Sequence, residues 1–229
     1  LFSSGTAALV CALNSLKKKN KPYCILPSWT YVATAQAVIE AKMIPYFVDV
    51  SEESMQINMQ SLKNIPKKIL NNSSILLCVS PFGMPFFYNE IKNFIKKKKI
   101  NFLLDAAAGF DSVFSKKINL IISFHATKVF GIGEGGMFYS PNQKILLKAR
   151  SHSNFGYYFD RHAINAGVNL KLNEIQCAIG IAALNKWNMN RKKYYFVSRL
   201  YLKYLKSNKI SFLDKWGREW VSSTCVIKI

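Results

Sequence analysis

Residues 101–109 read NFLLDAAAG, and this stretch contains the pattern that decides the fold class. Residues 101–104 form a largely apolar run of strand length, which is followed directly by an aspartate and small residues. A similar run, ILLCV, lies at residues 75–79. Continuous apolar strands of this length are typical of sheets that are covered on both faces. The stretch therefore predicts a buried strand of a mostly parallel sheet, with Asp105 at its carboxyl end.

Strand-like and helical patterns alternate on both sides of this stretch. Strand candidates are residues 23–26, 43–48, 74–79, 101–104, 120–124 and 137–140. Helical patterns cover residues 6–16, 31–41, 59–70, 88–98 and 143–150. This alternation predicts an α/β fold built on a mostly parallel sheet.

The character of the sequence changes after residue 171. Residues 172–187 and 191–205 carry two long helical patterns, and short apolar runs follow at residues 210–213 and 225–229. We predict a large domain over residues 1–187 and the beginning of a small α+β domain over residues 188–229. The chain starts at Leu1 without a methionine and stops just after an apolar run, so we expect a fragment of a longer protein.

The charge of the chain is strongly positive. Its 229 residues include 32 Lys and Arg against 12 Asp and Glu, a formal net charge of +20. Such a charge raises the hypothesis of a nucleic-acid or acidic-lipid partner. No recognised nucleic-acid module is present, and arginine, the usual reader of bases, is sparse. A solvated basic surface and a polyanionic or nucleotide-linked substrate are the alternatives.

Cysteine usage and hydropathy indicate a compartment. The five cysteines are an odd number, contain no Cys-x-x-Cys pair and lie in apolar surroundings, as buried free thiols do. No apolar run is long enough to cross a bilayer and no signal peptide is visible. These features predict that the protein resides in the reducing cytoplasm. We also predict that the chain has no metal site.

Two segments place polar groups where a parallel sheet binds ligands, beyond the carboxyl ends of its strands. Residues 3–9, SSGTAAL, form a small-residue turn that opens a helix, which is either a phosphate seat or a plain helix cap. Asp105 ends a buried strand and is followed by residues too small to shield it. Its carboxylate either caps a helix or meets a cation.

A third segment, SFHATKVFGIGEGG at residues 123–136, contains one lysine, Lys128. A lysine at the end of a buried strand can lose solvent and act as a nucleophilic amine, whereas the alternative is a surface lysine on a flexible loop. Gly131, Gly133 and Gly136 also match the dinucleotide pattern G-x-G-x-x-G. A strand-like run follows that match instead of a helix, so we do not interpret it as a dinucleotide site.

Together the three segments are more informative than any one alone. A phosphate seat, a strand-end carboxylate and an activatable lysine are the parts that hold pyridoxal phosphate. In that cofactor the phosphate anchors, the carboxylate keeps the pyridine nitrogen protonated, and the lysine forms a Schiff base with the aldehyde.

Over residues 3–187 the chain closely resembles the DegT/DnrJ/EryC1/StrS family of pyridoxal-phosphate sugar aminotransferases. The resemblance rests on motifs that occur here in the family's order: SGTAAL (4–9), PSWTYVAT (27–34), FVDV (47–50), DAA (105–107), SFHATK (123–128) with GEGG (133–136), and GVNLKLNEIQ (167–176). It implies the type I, aspartate aminotransferase-like fold and a homodimer with active sites at the subunit interface.

The resemblance also implies a role for individual residues. Lys128 would be the catalytic lysine that bonds the cofactor and moves protons, and Asp105 would pair with the pyridine nitrogen. Tyr31 would stack on the cofactor, and Asn169 would reach into the partner subunit's site. The cofactor phosphate would be held by Gly5, Thr6, Ala7 and Ser123.

One position departs from the pattern. Many family members carry glutamine three residues after the aspartate, whereas this chain has Ala108. We interpret this as a variant of a subgroup of the family, and the usual inference about the identity of the substrate does not extend to it.

The resemblance implies transfer of an amino group, which we expect to come from glutamate, to a keto group of a nucleotide-activated sugar. Cell-surface polysaccharide or related amino-sugar biosynthesis would use such a reaction. The alternatives are a truncated, non-catalytic remnant of the family and a basic nucleic-acid-binding protein.

Overall fold

A six-stranded sheet forms the centre of the computed structural model, which describes residues 1–113, 115–205, 207 and 209–229. Its strands are β1 (Tyr23–Pro27), β2 (Ile44–Val48), β3 (Ser73–Val79), β4 (Asn101–Asp105), β5 (Leu120–Ser123) and β6 (Gly136–Tyr139). They lie in the order β2-β1-β3-β4-β5-β6. The first five are parallel, and β6 pairs antiparallel with β5. The predicted α/β class and mostly parallel sheet are confirmed, and each strand lies within one residue of its predicted bounds.

Seven α-helices surround the sheet in the described part of the chain. They are α1 (Gly5–Leu16), α2 (Val32–Glu40), α3 (Met59–Lys63), α4 (Lys67–Asn71), α5 (Tyr88–Lys98), α6 (Gln143–His152) and α7 (Glu174–Tyr204). None of the helices in the described residues combines the length and apolar character that a bilayer crossing requires.

Two helical predictions differ from the structure. The pattern over residues 59–70 forms two short helices, because Pro66 has no backbone N–H and disfavours helical geometry in the residue before it. The patterns over residues 172–187 and 191–205 form one helix of 31 residues, because no glycine or proline interrupts them after Gly180. Helix α7 thus continues through residue 188, and the domain boundary at this point stays a prediction.

The sheet is covered on both faces, and β3 shows how its side chains divide. Successive side chains of a strand point to opposite faces. Ile75 and Leu77 belong to a core cluster with buried residues of α1, α2 and α6. Leu76 and Cys78 belong to a second cluster with residues of α3, α4, α5 and Trp187 of α7. The apolar strands seen in the sequence therefore reflect a three-layer packing.

The C-terminal residues form a small unit beside the sheet. Strand β7 (Ser211–Phe212) pairs antiparallel with β8 (Ile227–Lys228), next to a cluster that includes Trp216 and Trp220. The Lys228 ammonium group donates hydrogen bonds to the carbonyl oxygens of Glu52 (2.9 Å) and Glu53 (2.6 Å). These contacts join the unit to the segment that follows β2, and residues 222–224 of the unit line a cavity together with Asp105 at the end of β4.

The two-sided core makes a prediction about two isoleucines. Ile75 on β3 is 0% exposed, whereas Ile44 on the edge strand β2 is 49% exposed. Because truncation of a fully buried isoleucine leaves a cavity, Ile75→Ala should lower the free energy of unfolding by about 2–5 kcal/mol in urea titrations followed by circular dichroism. The matched variant Ile44→Ala should lower it by less than about 1 kcal/mol. Equal losses would contradict the assignment of β3 to the centre of the core.

Candidate active site

Asp105 is a buried carboxylate with a fixed orientation. It ends β4, is 5% exposed, and accepts a hydrogen bond from the Thr34 hydroxyl at 2.8 Å. Its other oxygen accepts from the backbone N–H of Ala107 at 3.1 Å. The Thr34 hydroxyl lies in turn 2.7 Å from that of Thr30. Helix α2 and the turn after β4 therefore hold the carboxylate in one position.

The environment of Asp105 disfavours the ionised form of its carboxyl group. Burial raises the pKa of its carboxyl, while the hydrogen bonds from Thr34 and Ala107 and the positive charge of Lys128 act in the opposite direction without cancelling the effect. A cationic group bound beside Asp105 would stabilise the ionised form.

Lys128 lies on the loop that joins β5 to β6. Its backbone N–H donates to the His125 carbonyl at 2.9 Å, and the loop is closed by hydrogen bonds from Phe124 to Gly135 and from Ala126 to Gly133, each 2.8 Å long. Its half-buried side chain and that of Asp105 line the same cavity of about 450 Å³. Among the described residues, the Lys128 ammonium group has no carboxylate within ion-pair distance. The amine therefore faces the cavity without a fixed partner.

Two glycines bring the start of α1 against this edge of the sheet. A Cβ atom at Gly136 would lie 2.3 Å from the Ser4 carbonyl oxygen, and one at Gly5 would lie 2.8 Å from the Ser123 Cβ. Phe2 and Gly136 exchange two backbone hydrogen bonds of 2.8 and 2.9 Å in the same region. Any larger residue at these positions would push α1 away from β5 and β6.

The first turn of α1 can hold an anion. The Ser4 hydroxyl accepts from the Ala7 N–H at 3.0 Å, whereas the N–H groups of Gly5 and Thr6 have no acceptor among the described residues. Ser4, Gly5, Thr6 and Ser123 line the same cavity as Asp105 and Lys128. Unpaired N–H groups at the positive end of a helix dipole are a seat for phosphate or another oxyanion.

The remaining predicted residues differ in their placement. Tyr31 is 78% exposed and lines the cavity, so its ring is available for stacking. Ala7 is buried and its N–H is bonded to Ser4, so it does not line the cavity. Asn169 is exposed, and its side-chain oxygen accepts from the Lys171 ammonium group at 2.8 Å instead of lining the cavity. Its role towards a partner subunit stays a prediction.

Sequence reasoning missed several residues of the site. Thr34 lies in the motif of residues 27–34, but only the structure shows that its hydroxyl donates to Asp105. His125 also lines the cavity, where its ring lies 2.8 Å from the Thr127 hydroxyl and 3.4 Å from the Glu134 carboxylate.

A second space of about 360 Å³ adjoins Asp105 and Lys128 on the side of Trp29 and Ala108. It is lined in part by the hydroxyl-bearing run 222–224 of the C-terminal unit, which has no obvious signal in the sequence.

The arrangement suits one kind of ligand. An anionic group can bind at the first turn of α1, and a protonated ring nitrogen can meet Asp105 at the other end. A flat ring between them can stack on Tyr31, with the Lys128 amine in reach of the same cavity.

Comparison with known proteins supports this description. A protein of Mycobacterium tuberculosis is 31% identical over 193 residues, which are 80% of this chain and 47% of that protein. The dTDP-4-amino-4,6-dideoxy-D-glucose transaminase of Shigella dysenteriae is 28% identical over 207 residues, covering 85% of this chain and 55% of the relative. The chain thus spans about half the length of these curated relatives.

The fold has a close counterpart among solved structures. A Bacillus cereus protein assigned as a PLP-dependent aminotransferase superposes with a TM-score of 0.85 at 30% identity, over 99% of this chain and 62% of that one. The model of the DegT/DnrJ/EryC1/StrS aminotransferase family matches residues 1–228. This chain therefore belongs to the DegT/DnrJ/EryC1/StrS aminotransferase family.

Proposed function

We propose that the chain is the cofactor-binding part of a pyridoxal-phosphate aminotransferase that moves an amino group from glutamate to a keto group of a nucleotide-activated sugar. The observation that carries the proposal is that Asp105, Lys128 and the unpaired N–H groups of Gly5 and Thr6 surround one cavity. The name of the Shigella dysenteriae relative, a transaminase of a dTDP-sugar, supports the substrate class.

The residues present fit the cofactor. Asp105 is a buried carboxylate whose ionised form a protonated pyridine nitrogen would stabilise. The Thr34 hydroxyl orients one of the two carboxylate oxygens. The N–H groups of Gly5 and Thr6, with the Ser123 hydroxyl beside them, match a phosphate. The exposed ring of Tyr31 matches a stacking position on the face of the pyridine.

Lys128 has the chemistry that amino transfer needs. Bound pyridoxal phosphate supplies an aldehyde and a ring that withdraws electrons from the carbon next to the reacting amine. The Lys128 amine lines the cofactor cavity, so it can bond the aldehyde. When an amino substrate displaces it, the free amine can take up and return the proton of the carbon next to the reacting amine. Asp105 would hold the ring nitrogen in its protonated form and would thereby strengthen the electron withdrawal.

We extend the proposal to a homodimer with shared sites. Helix α7 exposes large apolar side chains, including Ile175 (74%), Ile181 (63%) and Phe196 (63%). Val168, beside Asn169, is 60% exposed. Several large exposed apolar side chains along one helix favour a protein interface. Such an interface would allow Asn169 to reach the partner's phosphate seat, as the family resemblance implies. The setting we propose is cytoplasmic amino-sugar synthesis for cell-surface polysaccharide.

The role of Lys128 is tested by absorbance. Addition of pyridoxal phosphate to the purified chain should produce a visible band of a lysine adduct that differs from the spectrum of the free cofactor. Lys128→Ala should abolish this band, because the cavity-facing amine is removed, whereas Lys144→Ala, at an exposed position of α6, should retain it. Persistence of the full band in Lys128→Ala would contradict the assignment.

The role of Asp105 is tested by a stability measurement. Its folded-state pKa is raised, so its ionised form destabilises the cofactor-free chain at neutral pH, and stability falls as pH rises from about 4 through the folded pKa. In Asp105→Asn the amide oxygen can accept from the Ala107 N–H, and the amide nitrogen can donate to the Thr34 hydroxyl, which can donate in turn to Thr30. The variant should therefore melt at a higher temperature than wild type at pH 7, and the difference should close as pH falls towards about 4.

The same variant should bind the cofactor more weakly. Because Asp105→Asn removes a charge-assisted hydrogen bond to the ring nitrogen, the dissociation constant of pyridoxal phosphate should rise about 10- to 100-fold. Fluorescence titration measures this change. A variant that is less stable than wild type at pH 7, or one that binds the cofactor equally well, would argue against the role assigned to Asp105.

A further inference from the structure

The edge of the sheet opposite the cofactor cavity carries a dense group of lysines. Strands β1 to β4 are parallel, so their first residues lie at one edge, and Asp105, the last residue of β4, lies at the other. The segments that lead into β1, β2 and β4 supply the lysines. We call this group the amino-edge face, which consists of Lys17, Lys18, Lys19, Lys21, Lys42 and the four lysines of residues 96–99.

Hydrogen bonds hold these segments side by side. The Lys18 ammonium group donates to the backbone carbonyl of Lys99. The Lys17 ammonium group donates to the carbonyl of Ala41 at 3.0 Å, directly before Lys42 in the chain. The lysines that precede β1 therefore lie next to those that precede β2 and β4.

The positive charges of the amino-edge face are not neutralised within the chain. Burial, followed by the charges of Lys42 and Lys148, lowers the pKa of Lys17, and burial with two other lysines of the face lowers that of Lys18. Among the described residues, none of the lysines of the face has a carboxylate within ion-pair distance, although Glu40 is close in sequence to Lys42. An anionic partner would relieve this repulsion.

The carboxylates of the sheet connections lie mostly at the other edge. Asp49, Glu52 and Glu53 follow the carboxyl end of β2, and Glu134 follows that of β5. The connections of the parallel strands therefore separate charge, with lysines at the amino edge and carboxylates at the carboxyl edge. A charge distribution of this kind orients a protein towards an anionic surface.

Exposed apolar side chains accompany the lysines and indicate which anionic surface fits. Ile39 is 54% exposed and Ile44 is 49% exposed, and they flank Lys42 in the tight turn between α2 and β2. Lysines mixed with apolar side chains suit lipid headgroups, because the apolar groups can enter the boundary with the acyl chains. Nucleic acids favour arginine and stacking rings, and the exposed rings of Trp29 and Tyr31 follow the carboxyl end of β1 instead.

We propose that the amino-edge face docks reversibly on an anionic lipid surface, with its lysines on the headgroup phosphates and with Ile39 and Ile44 among the headgroups. In this orientation the cavity that contains Asp105 and Lys128 lies at the edge of the sheet that faces away from the lipid. The inference uses no step of the proposed reaction and is independent of it.

The test is co-sedimentation of the purified chain with vesicles of phosphatidylcholine alone or of phosphatidylcholine mixed with phosphatidylglycerol. The chain should bind the anionic vesicles at least about tenfold more tightly than the neutral ones, because each lysine near the surface contributes to attraction. Binding should fall steeply when salt is raised from about 50 to about 500 mM, since salt screens exposed charges.

A pair of double variants tests the location of the binding face. Lys42→Gln combined with Lys97→Gln should weaken binding to the anionic vesicles about tenfold. The matched control, Lys186→Gln combined with Lys192→Gln, removes the same charge from exposed positions of α7 and should weaken binding less than about threefold. Circular dichroism confirms that each variant is folded.

The variant Ile39→Ser distinguishes a lipid surface from a nucleic acid, because it leaves every charge in place. It should weaken binding to the anionic vesicles at least about threefold, since an apolar group is lost from the interface. Binding of the single-stranded RNA poly(U), measured by fluorescence anisotropy, should not change.

Three outcomes would overturn this inference. They are equal binding to neutral and anionic vesicles, equal weakening by the two double variants, and vesicle binding that Ile39→Ser leaves intact while poly(U) displaces the chain from the vesicles. The last outcome would assign the face to a nucleic acid. Since no cofactor is present, none of these results bears on the absorbance test of Lys128.

Discussion

The close backbone contact between the first turn of α1 and the β5–β6 edge is the constraint on which the site depends. It requires glycine at residues 5 and 136, where a Cβ atom would lie within 2.8 Å of Ser123 or Ser4 atoms. Through this contact the unpaired N–H groups of α1 lie over the same sheet edge that carries Asp105 and Lys128. Without it, the anion seat and the amine would no longer share a cavity.

Asp105 lowers the stability of the folded chain at this edge of the sheet, because its carboxylate is buried. A carboxylate that is 5% exposed would be better replaced by a neutral side chain if stability alone mattered. The chain instead orients it with Thr34 and Ala107 and leaves its pKa raised. Perturbed groups of this kind concentrate at functional sites. Burial of the carboxylate thus explains both its cost in stability and the proposed pairing with a protonated ring nitrogen.

Much of this arrangement could be predicted from the sequence, because it follows from strand ends. Apolar runs of strand length located all six strands of the sheet, and parallel pairing brings Asp105 and Lys128 to one edge. Contacts between distant segments could not be predicted. The Thr34–Asp105 bond joins residues 71 positions apart, and the run 222–224 reaches the site only through packing of the C-terminal unit. The role proposed for Asn169 would depend on a second subunit.

The central claim is that Lys128, among the many lysines of this chain, bonds the cofactor because Asp105 and α1 hold the ring beside it. The most direct measurement is reduction of the chain with borohydride in the presence of stoichiometric pyridoxal phosphate, followed by proteolysis and mass spectrometry of the labelled peptides. The account requires the pyridoxyl group on Lys128. Label spread over exposed lysines such as Lys97 and Lys144, with none on Lys128, would contradict it.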